Sequence, residues 1–118
     1  MDNKTIEDKF RELCKDAKTD PSQYCYLRSY ELANTIIKEV GEDKIVEQWK
    51  IVPKEKQYLE PKDLTGILWQ CHYTIMYDGE IWDSAFGKRF PIDVYLSNAF
   101  PGQNVEIEQK DQVKIPYY

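Results

Sequence analysis

The stretch His72-Tyr73-Thr74-Ile75-Met76-Tyr77-Asp78-Gly79-Glu80-Ile81-Trp82-Asp83 decides the fold. Two β-rich runs, Ile67 to Tyr77 and Glu80 to Phe86, are joined by Asp78-Gly79, the strongest two-residue hairpin signal in the chain. With Asp78 and Gly79 as the loop, Tyr77 pairs with Glu80, Thr74 lies opposite Asp83, and His72 lies opposite Ala85. Side chains alternate along a strand, so His72 and Thr74 share a face. Asp83 is then the diagonal neighbour of His72. Diagonal Cβ atoms lie about 7 Å apart, within reach of a carboxylate–imidazole hydrogen bond. Such a bond fixes the tautomer and orientation of a general base.

Upstream the period is helical. Ile6, Phe10, Leu13, Cys14 and Ala17 make one apolar stripe with charges on the other face. Asp20-Pro21 breaks that helix, and a second follows with Tyr26, Tyr30, Ala33, Ile37 and Val40 on one stripe and Gly41 placed to end it. Ile45 to Val52 is β-branched and reads as a strand stopped by Pro53. Lys54 to Asp63 reads as loop or a short edge strand, Pro91 to Phe100 as a short helix, and Val105 to Ile115 as a last strand or hairpin. Helices first and then mostly antiparallel strands predict an α+β fold. With no repeat or flexible linker, the 118 residues are expected to form one domain.

Cys25 supplies a nucleophile for the oriented base. A helix N-terminus carries partial positive charge and free N–H groups, which favour a thiolate and an oxyanion. With Ser22 as the cap, Cys25 falls in the first turn. With Asp20 as the cap, Pro21 at the first helical position and Gln23 completing a capping box, it falls in the second, where the dipole helps less. The first of these is preferred.

The order Cys25, His72, Asp83, with the segments Tyr24 to Tyr30 and His72 to Asp83, resembles papain-like and transglutaminase-like cysteine hydrolases. It looks most like the compact papain-fold toxin domains of bacterial polymorphic toxins and like protein-glutamine deamidases. The resemblance covers about half the chain. It implies a papain-like core, with Cys25 as nucleophile, His72 as general base and Asp83 as its orienter. The family often places a glutamine before the cysteine as an oxyanion donor. Gln23 is the nearest match, and Gln70, read on the face of His72, is the alternative. The implied chemistry is attack on a carboxamide, a thioester intermediate and hydrolysis: deamidation, proteolysis or, with an amine acceptor, transamidation. The resemblance also implies a protein substrate, a cognate immunity protein covering the site, and delivery from a bacterium into a target-cell cytosol.

Composition narrows the alternatives. A net charge of −5 argues against a nucleic-acid partner, and the longest uncharged run, Leu64 to Tyr77, is too short and polar to span a membrane. The mostly charged first twenty residues carry no signal-peptide pattern. Three cysteines at irregular spacing read as thiols. One histidine and no glycine-rich phosphate loop lead to an expectation of no metal and no cofactor.

Cys14 reads as a buried small hydrophobe. Cys71 reads as a core residue, facing away from His72 together with Trp69, Tyr73 and Ile75. Trp82 and Phe86 read as packing residues, Asp78 as a turn residue, and Glu42-Asp43, Glu106 and Glu108 as solvated surface. Arg28 and Lys88-Arg89 read as isolated basic points. The competing function is an acidic immunity or inhibitor-type binder with no catalysis, whose charge complements a basic partner. A third reading, a non-enzymatic structural module, predicts an inert, buried Cys25.

Overall fold

A computed structural model describes residues 4–19, 24–41, 44–64 and 66–114. The hairpin forms in the register expected: β2 (His72–Tyr77) meets β3 (Glu80–Asp83) with Tyr77 opposite Glu80, Met76 opposite Ile81 and Ile75 opposite Trp82. Asp78 and Gly79 take φ of 54° and 77°, the two positive values a twist-matched two-residue turn needs.

The sheet grows on both sides of this hairpin. In chain order the elements are α1 (Lys4–Thr19), α2 (Cys25–Val40), β1 (Val46–Pro53), β2, β3, β4 (Lys88–Pro91), a 3₁₀ turn (Ile92–Val94), α3 (Tyr95–Ala99) and β5 (Val105–Gln112). The strands lie in the order β4-β3-β2-β1-β5, and each neighbouring pair is antiparallel. The fold is α+β, with the two long helices ahead of the strands.

The sheet is covered on both faces. On one, Ile6 and Leu13 of α1 and Leu32, Ala33, Ile36 and Ile37 of α2 pack on Val46, Ile75, Tyr77 and Trp82. On the other, Tyr95, Ala99 and Phe100 close over Trp49, Ile51, Ile81 and Phe90 together with Leu59 and Trp69. Truncating a buried residue such as Leu32 to alanine costs about 2–5 kcal/mol, a large share of a small domain's stability.

Several local expectations are corrected. The second β-run stops at Asp83, because Asp83 to Gly87 form a turn closed by Gly87 N–H to the Asp83 carbonyl at 3.0 Å, with Gly87 at φ 72°. The chain then returns as β4, a strand the sequence reading missed. The first run is regular only from His72. Trp69 makes an isolated bridge to Leu59, and a bend at Gln70 separates it from β2.

The helices are corrected too. The buried stripe of α2 is Ser29, Leu32, Ala33, Ile36 and Ile37, so Tyr26 turns outward. The N-cap of α2 is Tyr24, in the left-handed region at φ 64°, rather than Ser22 or Asp20, which lie with Gln23 outside the described residues. Arg28 is no isolated basic point: it is 4 % exposed, and its Nε donates to Asp16 Oδ2 at 2.9 Å, tying α2 to α1. Glu42, Asp43 and Ile115 are outside the described residues.

Candidate active site

Cys25 is the first residue of α2. The helix start is pinned to the sheet by Gln48 of β1, whose Nε2 donates to Ser29 Oγ at 2.7 Å and to the Tyr26 carbonyl at 3.2 Å. The Tyr26 ring meets Tyr73 of β2 edge-on at 4.9 Å between centroids. The first N–H groups of a helix have no carbonyl four residues back, and the Tyr24 side chain does not cap them. The backbone amides of α2's first turn are therefore donors beside the Cys25 sulfur.

His72 and Asp83 sit on the sheet face opposite the long helices. Both are 1 % exposed, and His72 Nε2 lies 2.8 Å from Asp83 Oδ2. The diagonal pairing expected from the hairpin register is the pairing observed. Asp83 is held by three further donors: the Tyr95 hydroxyl at 2.6 Å on Oδ2, and the Ala85 and Phe86 N–H groups at 3.1 and 3.4 Å on Oδ1. The turn that ends β3 thus also fixes the carboxylate.

Cys25 and His72 approach from opposite layers of the fold. They meet because β3 ends at Asp83, which leaves β2 beyond Thr74 without a strand partner on that side. There the Tyr73 N–H donates to the Cys25 sulfur and the imidazole interacts with the thiol. Asp83 occupies Nε2, and Nδ1 is buried with no hydrogen-bond partner of regular geometry. Nδ1 is therefore the nitrogen left for Cys25.

Electrostatics favour a thiolate–imidazolium pair. Burial works against the Cys25 thiolate, but the hydrogen bond and charge of His72 and the Tyr73 N–H outweigh it, leaving the thiol below its ordinary 9.0. Burial likewise opposes the imidazolium, yet the charge and hydrogen bond of Asp83, with Cys25 beyond, raise His72 from 6.5 to about 9. The other two cysteines move the opposite way. Burial lifts Cys14 to about 11, and burial with the nearby Cys25 raises Cys71.

Two residues of this site were missed in the sequence. Trp69 stacks on His72, with ring centroids 4.1 Å apart and planes 5° from parallel. It was expected on the other face; the bend at Gln70 breaks the alternation on which that expectation rested. Tyr95 is fully buried, and burial together with Asp83 holds its phenol well above the usual range. No local pattern in Pro91 to Phe100 marks it, since only the packing of α3 on the sheet brings it to Asp83. Replacing Tyr95 by Phe removes a short buried bond to a carboxylate and is expected to cost about 1.5–3 kcal/mol in urea unfolding.

Gln70 is exposed in the bend before β2, because the strand that was to carry it onto the face of His72 starts two residues later. Cys71 is half-buried rather than core. Trp82 packs under Phe10, as expected, and Phe86 approaches His72 edge-on at 6.3 Å. Among the described residues, no group of three His, Cys, Asp or Glu side chains is arranged to hold a metal ion. Comparison of the chain with protein-family models, with curated proteins and with solved structures finds no match.

Proposed function

We propose that this chain is a cysteine-dependent amide hydrolase with Cys25 as nucleophile, His72 as general base and acid, and Asp83 as the residue that orients it. The observation that carries this reading is the buried His72–Asp83 pair at 2.8 Å, whose remaining ring nitrogen is left for a thiol at a helix N-terminus.

The Cys25 thiolate attacks the carbon of a carboxamide, and the carbonyl oxygen becomes an oxyanion facing the first-turn amides of α2. The imidazolium at Nδ1 gives its proton to the amide nitrogen, the C–N bond breaks, and a thioester remains on Cys25. Neutral His72 then takes a proton from water as the water oxygen attacks the thioester. The acid leaves, and the thiolate and imidazolium are restored. A glutamine side chain as substrate gives glutamate and ammonia; a peptide bond gives cleavage; an amine in place of water gives transamidation. On the resemblance described above, the chain acts as a toxin or effector domain on target proteins and is restrained by an immunity protein.

Limiting iodoacetamide at pH 6, with peptide mass spectrometry at each cysteine, tests the reading. Cys25 is expected to label roughly tenfold or more ahead of Cys14 and Cys71, whose thiols are shifted the other way. His72→Ala is expected to abolish that lead. Labelling of Cys25 no faster than the other two removes the hydrolase and leaves the acidic binder as the better reading.

A further inference from the structure

A second feature of the surface is built from basic residues. α1 and the β3–β4 hairpin enclose a groove of about 460 Å³ lined by Arg11, Lys15 and Lys18 along one wall and Arg89 on the other. Phe10 and Trp82, edge to face at 5.3 Å, form its floor with Cys14. Glu7 is the one carboxylate among its lining residues. A ratio of four cations to one anion is the reverse of the chain as a whole, which carries −5. The volume falls in the range of ligand-binding clefts.

These cations are only lightly engaged. Arg89 lies over the Trp82 ring at 4.5 Å and reaches Glu7 and Glu80 only at 3.8 and 3.9 Å. Arg11 pairs with Asp8 at 2.9 Å in an exposed contact, the kind worth little in water. Lys15 and Lys18 have no ion-pair partner among the described residues. The remaining carboxylates of α1 nearby, Asp8, Glu12 and Asp16, lie along an adjoining shallow depression that Arg11 and Lys15 also border.

The groove adjoins the turn that follows Asp83. Gly87, on its wall, closes the turn that begins at Asp83. Further along α1, Asp16 accepts from Arg28 Nε, which ties the end of that helix to the first turn of α2, where Cys25 sits.

We propose that this groove binds an acidic, extended polypeptide segment; that the segment belongs to the substrate protein rests on the hydrolase reading above. Charge complementarity selects the occupant, and spacing selects its form. Arg11, Lys15 and Lys18 rise along α1 by about 6 and about 4.5 Å. Alternate side chains of an extended peptide are about 6.6 Å apart, so acids at every second position meet the row while Arg89 faces them from the other wall.

The probe is a fluorescein-labelled peptide of alternating glutamate and alanine, followed by fluorescence anisotropy at about 25 mM and about 250 mM salt. The parent is expected to bind at low salt and to weaken at high salt. Lys15→Glu/Lys18→Glu is expected to weaken binding at least about tenfold, equivalent to about 1.4 kcal/mol, while Cys25→Ala binds as the parent does. Unchanged iodoacetamide labelling of Cys25 in the double variant verifies its fold.

Equal binding by parent and double variant overturns the proposal. So does equal binding of a lysine–alanine peptide, or tighter binding of an oligothymidylate of the same charge. The two readings fail separately: glutamate-peptide binding beside an unreactive Cys25 keeps the groove and removes the hydrolase.

Discussion

Asp83→Asn is expected to lower turnover on a carboxamide substrate by about 10²–10⁴-fold, through the tautomer of His72. Oδ1 of Asp83 accepts from the Ala85 and Phe86 N–H groups, whereas Oδ2 faces His72 Nε2 and the Tyr95 hydroxyl. An asparagine keeps its oxygen on the two backbone donors and turns its NH₂ toward His72. Nε2 must then accept, so the proton of the neutral ring moves to Nδ1, the nitrogen that has to take a proton from the nucleophile. With Asp83 1 % exposed and four donors converging on it, about 1–3 kcal/mol of stability is expected to go as well. Turnover assayed well below the unfolding temperature separates the two effects. Turnover within a few-fold of the parent removes Asp83 from the mechanism.

Cys25→Ala is expected to abolish turnover and to change the titration of His72. The chain has one histidine, so its imidazole NMR signals need no assignment. In the parent the titration is expected far above 6.5, near 9, with Asp83 and Cys25 both favouring the charged ring. In the variant the Cys25 contribution is gone and the midpoint falls.

The linked stability has a definite sign. A histidine raised from 6.5 to about 9 on folding contributes its full stabilisation below pH 6.5 and loses it as pH rises through about 9. Cys25, lowered on folding, contributes above its ordinary 9.0 and loses that contribution as pH falls through its folded value. Turnover depends on the thiolate and imidazolium coexisting, which gives a bell-shaped profile belonging to the pair rather than to either residue. A His72 midpoint identical in parent and variant shows that the two side chains do not interact.

Much of the hairpin was legible because its determinants are local. A two-residue Asp-Gly turn fixes register, and register with strand alternation fixes the diagonal placement of Asp83 beside His72. The same period argument failed where it ran past the regular strand. It put Trp69 on the face away from His72 and Gln70 on the face of His72, and both placements failed, since a bend between Leu59's bridge partner and β2 resets the alternation. The turn after Asp83 also escaped, because its stabilising donors are backbone N–H groups that any residue supplies.

The sequence by itself determined that helices precede an antiparallel sheet, that Cys25 opens a helix, and that a carboxylate stands diagonal to the single histidine. Those outcomes depend on periodicity, helix breakers and turn chemistry over a few neighbouring residues. Only the tertiary structure decided that the thiol meets the imidazole. Cys25 belongs to the helical layer and His72 to the opposite sheet face, and they come together solely because β3 stops at Asp83 and leaves a gap at the edge of β2. Tyr95 over Asp83 and the gathering of Arg11, Lys15, Lys18 and Arg89 into one groove have the same origin. Each joins residues distant in the chain through the burial of apolar surface between layers, and that burial leaves no trace in the spacing of the residues it brings together.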